Sequence, residues 1–68
     1  MGINTNELTL EQIRVLRGKS QEQMADILGV HVQTYRKIEK NPEEATIAQA
    51  KIISQELDWE YNAIFFGQ

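Results

Sequence analysis

The stretch SQEQMADILGVHVQTYRKIEK, residues 20–40, decides the fold, because it holds two helix-forming segments separated by a glycine. Ser20 and Gln23 match the capping box, in which an N-cap hydroxyl and a glutamine three residues later satisfy backbone groups at a helix start. Gly29 suits the left-handed conformation that ends many helices. The stretch therefore predicts a helix at 20–28, a tight turn at 29–31 and a helix at 32–40.

The same local signals mark the starts of two more helices outside this stretch, and a short fifth helix is predicted near the C-terminus. Thr9 with Gln12, and Thr46 with Gln49, repeat the capping box. Pro42 disfavours a helical residue before it and so ends the preceding helix. The additional helices are predicted at 9–18, 47–56 and 61–66. No alternating run of β-branched residues competes for a strand, so the predicted fold class is all-α, with five short helices.

Apolar side chains at helical spacing predict the buried faces of the two central helices. Met24, Ile27 and Leu28 fall at i, i+3 and i+4 of the first of them, and Tyr35 and Ile38 form the inward pair of the second. We expect these five side chains to contribute to one common core.

The length and composition of the chain limit what it can be. A chain of 68 residues has room for one domain with a small core, and it contains no cysteine to strengthen that core. No apolar run approaches the roughly 18 residues of a membrane span, and no secretory signal begins the chain. We therefore expect a cytoplasmic protein without membrane contact. A single domain is predicted over residues 1–68, with its two-helix unit at 20–40 and a flexible N-terminal segment at 1–8.

Charge is unevenly distributed along the chain. The net charge is -3, which by itself disfavours nucleic-acid binding, because phosphate contacts supply most of the non-specific affinity. Residues 14–40, however, carry a charge of +3, whereas residues 1–13 carry -2 and residues 41–68 carry -4. A basic face on an acidic body is compatible with a polyanionic partner.

The helix predicted at 32–40 carries a polar, mostly cationic stripe. Gln33, Arg36, Lys37 and Lys40 fall at i, i+3, i+4 and i+7, on one helical face. A solvated surface is the ordinary explanation of such a stripe. Its position on the second helix of a helix-turn-helix unit favours instead a helix that enters the major groove of DNA. In that groove glutamine pairs with adenine, and lysine with guanine or with phosphate.

A set of residues spread over most of the chain matches one known domain. The set comprises Ser20-Gln21, Ala25, Leu28-Gly29-Val30, Ile38-Glu39, Pro42, Leu57-Asp58-Trp59 and Ile64-Phe65. With it, residues 13–65 resemble the Cro/CI-type (Xre) helix-turn-helix family, the compact five-helix, lambda-repressor-like DNA-binding domain of phage repressors and many bacterial regulators. The resemblance implies a small transcriptional regulator of phage or prophage origin that binds operator DNA.

The resemblance also implies roles for individual residues. Gln21 matches a position that contacts phosphate and braces the third helix, and Val32, Gln33 and Lys37 match base-reading positions. Val32 has no hydrogen-bonding group, so it offers only apolar contact, for example with a thymine methyl. The remaining candidate DNA contacts are Thr34, Lys40 and Asn41 facing phosphate, Arg36 from the cationic stripe, and His31 from the turn.

Two residues match a structural pair of the family, and three depart from its pattern. Arg14 and Glu39 match a buried ion pair that orients the first helix against the third. Lys19 stands where the family usually has leucine, Asp58 where it has the glycine that closes the fourth helix, and Glu60 where Ser or Asp caps the fifth. We expect these departures to weaken the helix ends locally.

No pattern in the sequence predicts catalysis or metal binding. His31 is the only histidine and there is no cysteine, so we interpret His31 as a turn or cap residue rather than a metal ligand. The carboxylates are scattered rather than paired, and no glycine-rich phosphate loop is present. We therefore expect no enzymatic activity, no metal and no cofactor.

The C-terminal sequence LDWEYNAIFFGQ, residues 57–68, concentrates aromatic side chains. Its aromatic residues are Trp59, Tyr61, Phe65 and Phe66. They either cap the helical core or form a dimer or partner interface. A homodimer through this end would place two third helices on double-stranded DNA across a two-fold axis. The alternative function is a modulator or antirepressor that binds another regulator protein, which the net charge and the apolar Val32 favour.

Overall fold

The computed structural model of this protein describes residues 8–65 and contains five α-helices. They are α1 (Leu10–Leu16), α2 (Gln21–Leu28), α3 (Val32–Lys40), α4 (Ile47–Leu57) and α5 (Tyr61–Phe65). No strand occurs in residues 8–65, and the prediction of an all-α fold with five helices is confirmed. A short 3-10 turn at Pro42–Glu44, which the sequence did not predict, joins α3 to α4.

Local side-chain chemistry sets the helix starts. Thr9, Ser20 and Thr46 each accept a hydrogen bond from a backbone N–H three residues later, and a glutamine side chain returns a bond to each N-cap backbone N–H. All three predicted capping boxes are thereby confirmed. Gly29 ends α2 in the left-handed region, at φ 71° and ψ 32°. Asp58 ends α4 in the same region, at φ 49°, where a Cβ is normally unfavourable.

The expectation that Glu60 weakens the start of α5 is wrong. Its Oε1 accepts hydrogen bonds from the backbone N–H groups of Asn62 at 2.8 Å and Ala63 at 3.2 Å. The Glu60 carboxylate therefore caps the start of α5. Lys19 forms a surface ion pair, in which its Nζ lies 3.6 Å from the Glu56 carboxylate.

One core joins all five helices. It contains Leu10, Ile13, Met24, Ala25, Tyr35, Ile38, Ile53, Leu57 and Ile64. The predicted burial of Met24, Tyr35 and Ile38 is confirmed, and Leu28 packs against the core while partly exposed. The prediction for Ile27 is wrong, since 37% of it is exposed. In α2 the inward line runs through Met24, Ala25 and Leu28, which leaves Ile27 at the margin of the buried face.

Arg17 fastens the end of α1 to the end of α4. Its Nε donates to the carbonyl of Leu57 at 2.8 Å and its Nη2 to the carbonyl of Asp58 at 2.9 Å. The guanidinium also lies 5.0 Å from the centroid of the Trp59 ring, within range of a cation–π contact. Arg17, one of the cations of residues 14–40, thus donates hydrogen bonds to carbonyls at the end of α4 that have no partner within the helix.

Two expectations concern parts of the chain at its ends. The segment predicted to be flexible, residues 1–8, falls outside the described residues except for Leu8, which packs against the core. Phe66 also lies outside them. Within the described part of the chain, no helix is long and apolar enough to cross a membrane.

Candidate nucleic-acid interface

The turn between α2 and α3 is built around Gly29. Its left-handed backbone lets the N–H of Val30 reach the carbonyl of Ala25, at 3.0 Å, and closes the end of α2. His31 follows as the N-cap of α3, exposed and without a side-chain capping bond. Because α2 packs extensively against α3, this turn fixes the direction in which α3 leaves the core.

Helical periodicity divides the side chains of α3 between core and solvent. Tyr35 and Ile38 are buried, and Val32 packs partly buried against the same core. The exposed side chains of α3 are Gln33, Thr34, Arg36, Lys37 and Lys40, and Asn41 is exposed just after it. The stripe predicted from spacing therefore lies at the surface as a continuous polar face with three cations.

Most polar side chains of this face are not bonded to the rest of the described domain. Within residues 8–65, the side chains of Gln33, Lys37 and Lys40 form no hydrogen bond and no ion pair. Lysine and glutamine side chains that are not committed to the fold retain their full capacity to bond a ligand. The chemistry presented here suits an anionic partner that also carries hydrogen-bonding edges, as a nucleic acid does.

A polar network anchors α3 beneath this face. Nε of Arg14 on α1 donates to Oε2 of Glu39 on α3, and Nη1 of Arg14 donates to the carbonyl of Lys19 at 2.7 Å. Nε2 of Gln21 on α2 donates to the other carboxylate oxygen of Glu39, at 3.1 Å. The side chains of Arg14 and Glu39 are only 10% and 5% exposed, so this pair is a buried one.

The network continues outward to the stripe. Nε of Arg36 donates to Oε1 of Gln21 at 3.0 Å, so Gln21 connects a buried carboxylate with an exposed guanidinium. The structure thus brings together four of the sequence-predicted residues, Arg14, Gln21, Arg36 and Glu39. It leaves His31, Gln33, Lys37, Lys40 and Asn41 outside the network.

The Tyr35 hydroxyl lies beside this network but does not join it. The oxygen is buried and has no hydrogen-bond partner. Burial raises the pKa of Tyr35 far above its ordinary value, and the negative charge of Glu39 raises that pKa further, although the two groups are not in hydrogen-bonding geometry. Tyr35 is therefore neutral over the physiological pH range.

The C-terminal aromatic residues divide between core and surface. Trp59 and Phe65 pack partly buried against the core, and Trp59 contacts Arg17. Tyr61 and Phe65 lie with their ring centroids 5.3 Å apart. Both rings, with Ile47 and Pro42, border an open apolar hollow between the 3-10 turn, α4 and α5.

No cluster of metal-ligating residues occurs in residues 8–65, since no group of three or more His, Cys, Asp or Glu side chains is placed to hold an ion.

A sequence model of the helix-turn-helix family matches residues 10–60, about three-quarters of the chain. The chain belongs to the Cro/CI-type (Xre) helix-turn-helix family. This family consists of DNA-binding regulators, so the protein is a helix-turn-helix DNA-binding regulator. No curated protein and no solved structure matches the chain significantly. The match runs from the start of α1 to the residue before α5, and it includes the whole of the turn and α3.

Two features of this helix-turn-helix domain were not found from the sequence. The hydrogen bond between Gln21 and Arg36 joins residues 15 apart on different helices, and the bonds from Arg17 reach across 40 and 41 residues. No spacing rule links such positions. The sequence shows the positive charges of Arg36 and Arg17. The hydrogen-bond partners of these two side chains depend on how the helices pack.

Proposed function

We propose that this protein is a sequence-specific transcriptional regulator of the phage or prophage Cro/repressor type, acting in the cytoplasm, and that α3 reads the major groove of operator DNA. The observation that carries the proposal is the exposed stripe on α3, whose Gln33, Lys37 and Lys40 side chains are not engaged by the fold. A helix that follows a helix-turn-helix turn and exposes such groups has the shape and chemistry to enter the groove.

The stripe supports a division of tasks among its residues. Gln33 offers the donor and acceptor that pair with adenine, and Lys37 offers donors for guanine O6 and N7 or for phosphate. Val32, partly buried at the start of α3, offers an apolar contact with a thymine methyl. Phosphate contacts are proposed for Thr34, Arg36, Lys40, Asn41 and His31, which are all exposed in or beside α3.

Charge distribution reconciles this role with the net charge of -3. Residues 14–40 carry +3, and three of their cations lie on the exposed face of α3. The acidic residues of the C-terminal third lie mainly on other elements, namely the 3-10 turn, the end of α4 and the segment before α5. DNA binding by this face is expected to weaken steeply with added salt, because it depends on releasing counterions from phosphates.

We further propose that the regulator binds as a homodimer through its C-terminal end. Ile47 is 70% exposed and borders the apolar hollow that Tyr61 and Phe65 also line. Covering this surface with a second copy would remove exposed apolar area from water. Two α3 helices would then meet successive major grooves, about 34 Å apart.

Selection of bound sequences from a randomised duplex pool tests this function. The expected result is an enriched motif with two-fold symmetry and half-sites about 10 base pairs apart between centres. If no motif is enriched although circular dichroism shows that the wild-type protein is folded, sequence-specific binding is contradicted.

A second candidate function is supported by the exposed apolar residues of α1. Val15 and Leu16 are adjacent in the chain and are 61% and 64% exposed, so they present apolar surface that fits contact with another protein. The protein would then be a modulator that binds another regulator. Substitution of Leu16 by Lys distinguishes the two functions, because a DNA reader would keep its DNA affinity whereas a modulator would lose its partner.

A further inference from the structure

The side-chain amide of Gln21 lies between two groups of opposite charge. On one side its Nε2 donates to the buried carboxylate of Glu39 at 3.1 Å, and on the other its Oε1 accepts from Nε of Arg36 at 3.0 Å. Gln21 is itself partly buried, whereas Arg36 is exposed. The amide therefore forms the only step between the buried part of the network and its exposed end among the hydrogen bonds of residues 8–65.

The chemistry of the neighbours fixes which way this amide points. An ionised carboxylate only accepts hydrogen bonds and a guanidinium only donates them. The amide nitrogen must therefore face Glu39 and the amide oxygen must face Arg36, because the reversed orientation would place acceptor against acceptor and donor against donor. Glu39 is in turn held by Arg14, so the orientation is determined from the core outward.

We propose that Gln21 is a positioning residue, which acts on DNA through Arg36, and that the Arg36 guanidinium is the group that clasps a backbone phosphate. This inference rests on the proposed function and replaces the direct phosphate contact that the family resemblance assigns to Gln21. The bond to Gln21 occupies only Nε of Arg36 and leaves the N–H groups of Nη1 and Nη2 for a phosphate.

The physical benefit of this arrangement is preorganisation. An exposed arginine has large rotamer freedom, which a phosphate contact would otherwise have to restrict. Holding Nε against Gln21 restricts that freedom before DNA arrives. The buried pair of Arg14 and Glu39 supplies a rigid support, so the position of the guanidinium is set by the packing of α1, α2 and α3 together.

A double-mutant cycle in DNA affinity tests the inference. The variants are Gln21→Met, which keeps side-chain length without hydrogen bonds, Arg36→Ala, and both together. Because Gln21 acts through Arg36, we expect Gln21→Met to weaken binding about fivefold, Arg36→Ala about tenfold, and the pair no more than Arg36→Ala alone. Arg36→Ala should also reduce the slope of log affinity against log salt by about 0.9, which a purely structural role would leave unchanged.

Two controls and one further variant complete the experiment. Gln55→Ala and Lys51→Ala change an exposed glutamine and an exposed lysine on α4, and neither should alter affinity or slope. In Arg36→Lys protein, which keeps the charge but lacks Nε, the added Gln21→Met change should have no effect. Thermal unfolding of every variant establishes that each one is folded.

The possible failures are distinguishable. If losses from Gln21→Met and Arg36→Ala multiply in the double variant, Gln21 touches DNA itself and the inference is overturned while the proposed function stands. If Gln21→Met alone leaves affinity unchanged, the connection to Arg36 does not position it. If wild-type protein binds no duplex at low salt, the proposed function fails, and the inference fails with it.

Discussion

Glu39 in α3 accepts a hydrogen bond from Arg14 in α1, a residue 25 positions earlier in the chain, and both side chains are nine-tenths or more buried. The pair ties the candidate recognition helix to the first helix of the domain. Desolvation offsets most of the Coulomb attraction of a buried ion pair. The pair therefore orients α3 more than it stabilises the fold. Removing one partner, however, leaves the other charge buried and unpaired, which destabilises the domain.

Replacement of Glu39 by Ala should destabilise the domain by about 3–5 kcal/mol, because it leaves the buried charge of Arg14 without a partner. The measurement is urea unfolding followed by circular dichroism. Glu44→Ala, which removes an exposed carboxylate from the 3-10 turn, is the matched control and should change stability by less than about 0.5 kcal/mol. Equal stability of the two variants would show that the pair does not anchor α3.

The buried hydroxyl of Tyr35 predicts a substitution that is tolerated or beneficial. Tyr35→Phe removes an oxygen without a hydrogen-bond partner, so we expect stability to stay the same or rise by about 1 kcal/mol. A loss of more than about 1 kcal/mol would mean that the hydroxyl is bonded, with Glu39 as the nearest candidate.

The same substitution should alter stability at alkaline pH. Folding raises the pKa of Tyr35, so wild-type stability does not depend on this titration below the unfolded pKa of about 10 and falls as the pH rises above that value. The stability of Tyr35→Phe relative to wild type should therefore be constant below pH about 9 and increase above pH about 10. Urea unfolding at a series of pH values measures this difference, and a difference that stays flat to high pH would contradict the raised pKa.

The left-handed backbone at Asp58 predicts a stabilising change to glycine. A non-glycine residue at φ 49° carries steric strain, and Asp58→Gly should relieve it, with a gain of about 0.5–1 kcal/mol. The control substitution should change stability in the opposite direction. Asp26→Gly places glycine inside α2, where it should cost about 0.5–1 kcal/mol. A loss of stability in both variants would show that the Asp58 side chain has a favourable role at this site.

Arg17 provides a basic residue that should not contribute to DNA binding. Arg17→Ala removes two hydrogen bonds to the end of α4 and the contact with Trp59, so we expect a loss of about 1–2 kcal/mol in stability. The salt dependence of DNA affinity should remain that of wild type. A reduced salt slope in this variant would indicate that Arg17 leaves α4 and contacts phosphate.

If the protein is a homodimer through this surface, one substitution there should halve its molecular mass in solution. Ile47→Lys places a charge at the apolar hollow beside Tyr61 and Phe65 and should produce monomers in sedimentation equilibrium, with little change in thermal stability. Leu16→Lys, at an equally exposed position of α1, should leave the dimer intact. A wild-type protein that is monomeric at high concentration would rule out this interface.

Helix positions were predictable from the sequence because their causes are local. Each capping box needs only four consecutive residues, and Gly29 needs only its own backbone freedom, so the starts of α1, α2 and α4 and the turn before α3 followed directly. Helical periodicity likewise separated Tyr35 from the exposed stripe of α3.

The remaining features depend on tertiary packing. Periodicity alone put Ile27 in the core, but the direction from which neighbouring helices approach α2 leaves it at the margin. The family resemblance predicted that Glu60 weakens the start of α5, whereas its carboxylate accepts a hydrogen bond from a backbone N–H of that helix. The bond between Gln21 and Arg36 joins two helices and has no signature within either, so it emerged only from the structure.

The most direct test of DNA recognition by α3 is fluorescence anisotropy of a labelled mixed-sequence duplex. The duplex is titrated with wild-type protein and with Lys37→Ala at about 50 and 200 mM salt, with Lys51→Ala as the control. We predict that wild-type affinity falls about a hundredfold between the two salt concentrations if about four phosphates are contacted. Lys37→Ala should weaken binding about five- to tenfold, and Lys51→Ala should not. No binding at 50 mM salt, or equal losses in the two lysine variants, would contradict DNA recognition by α3.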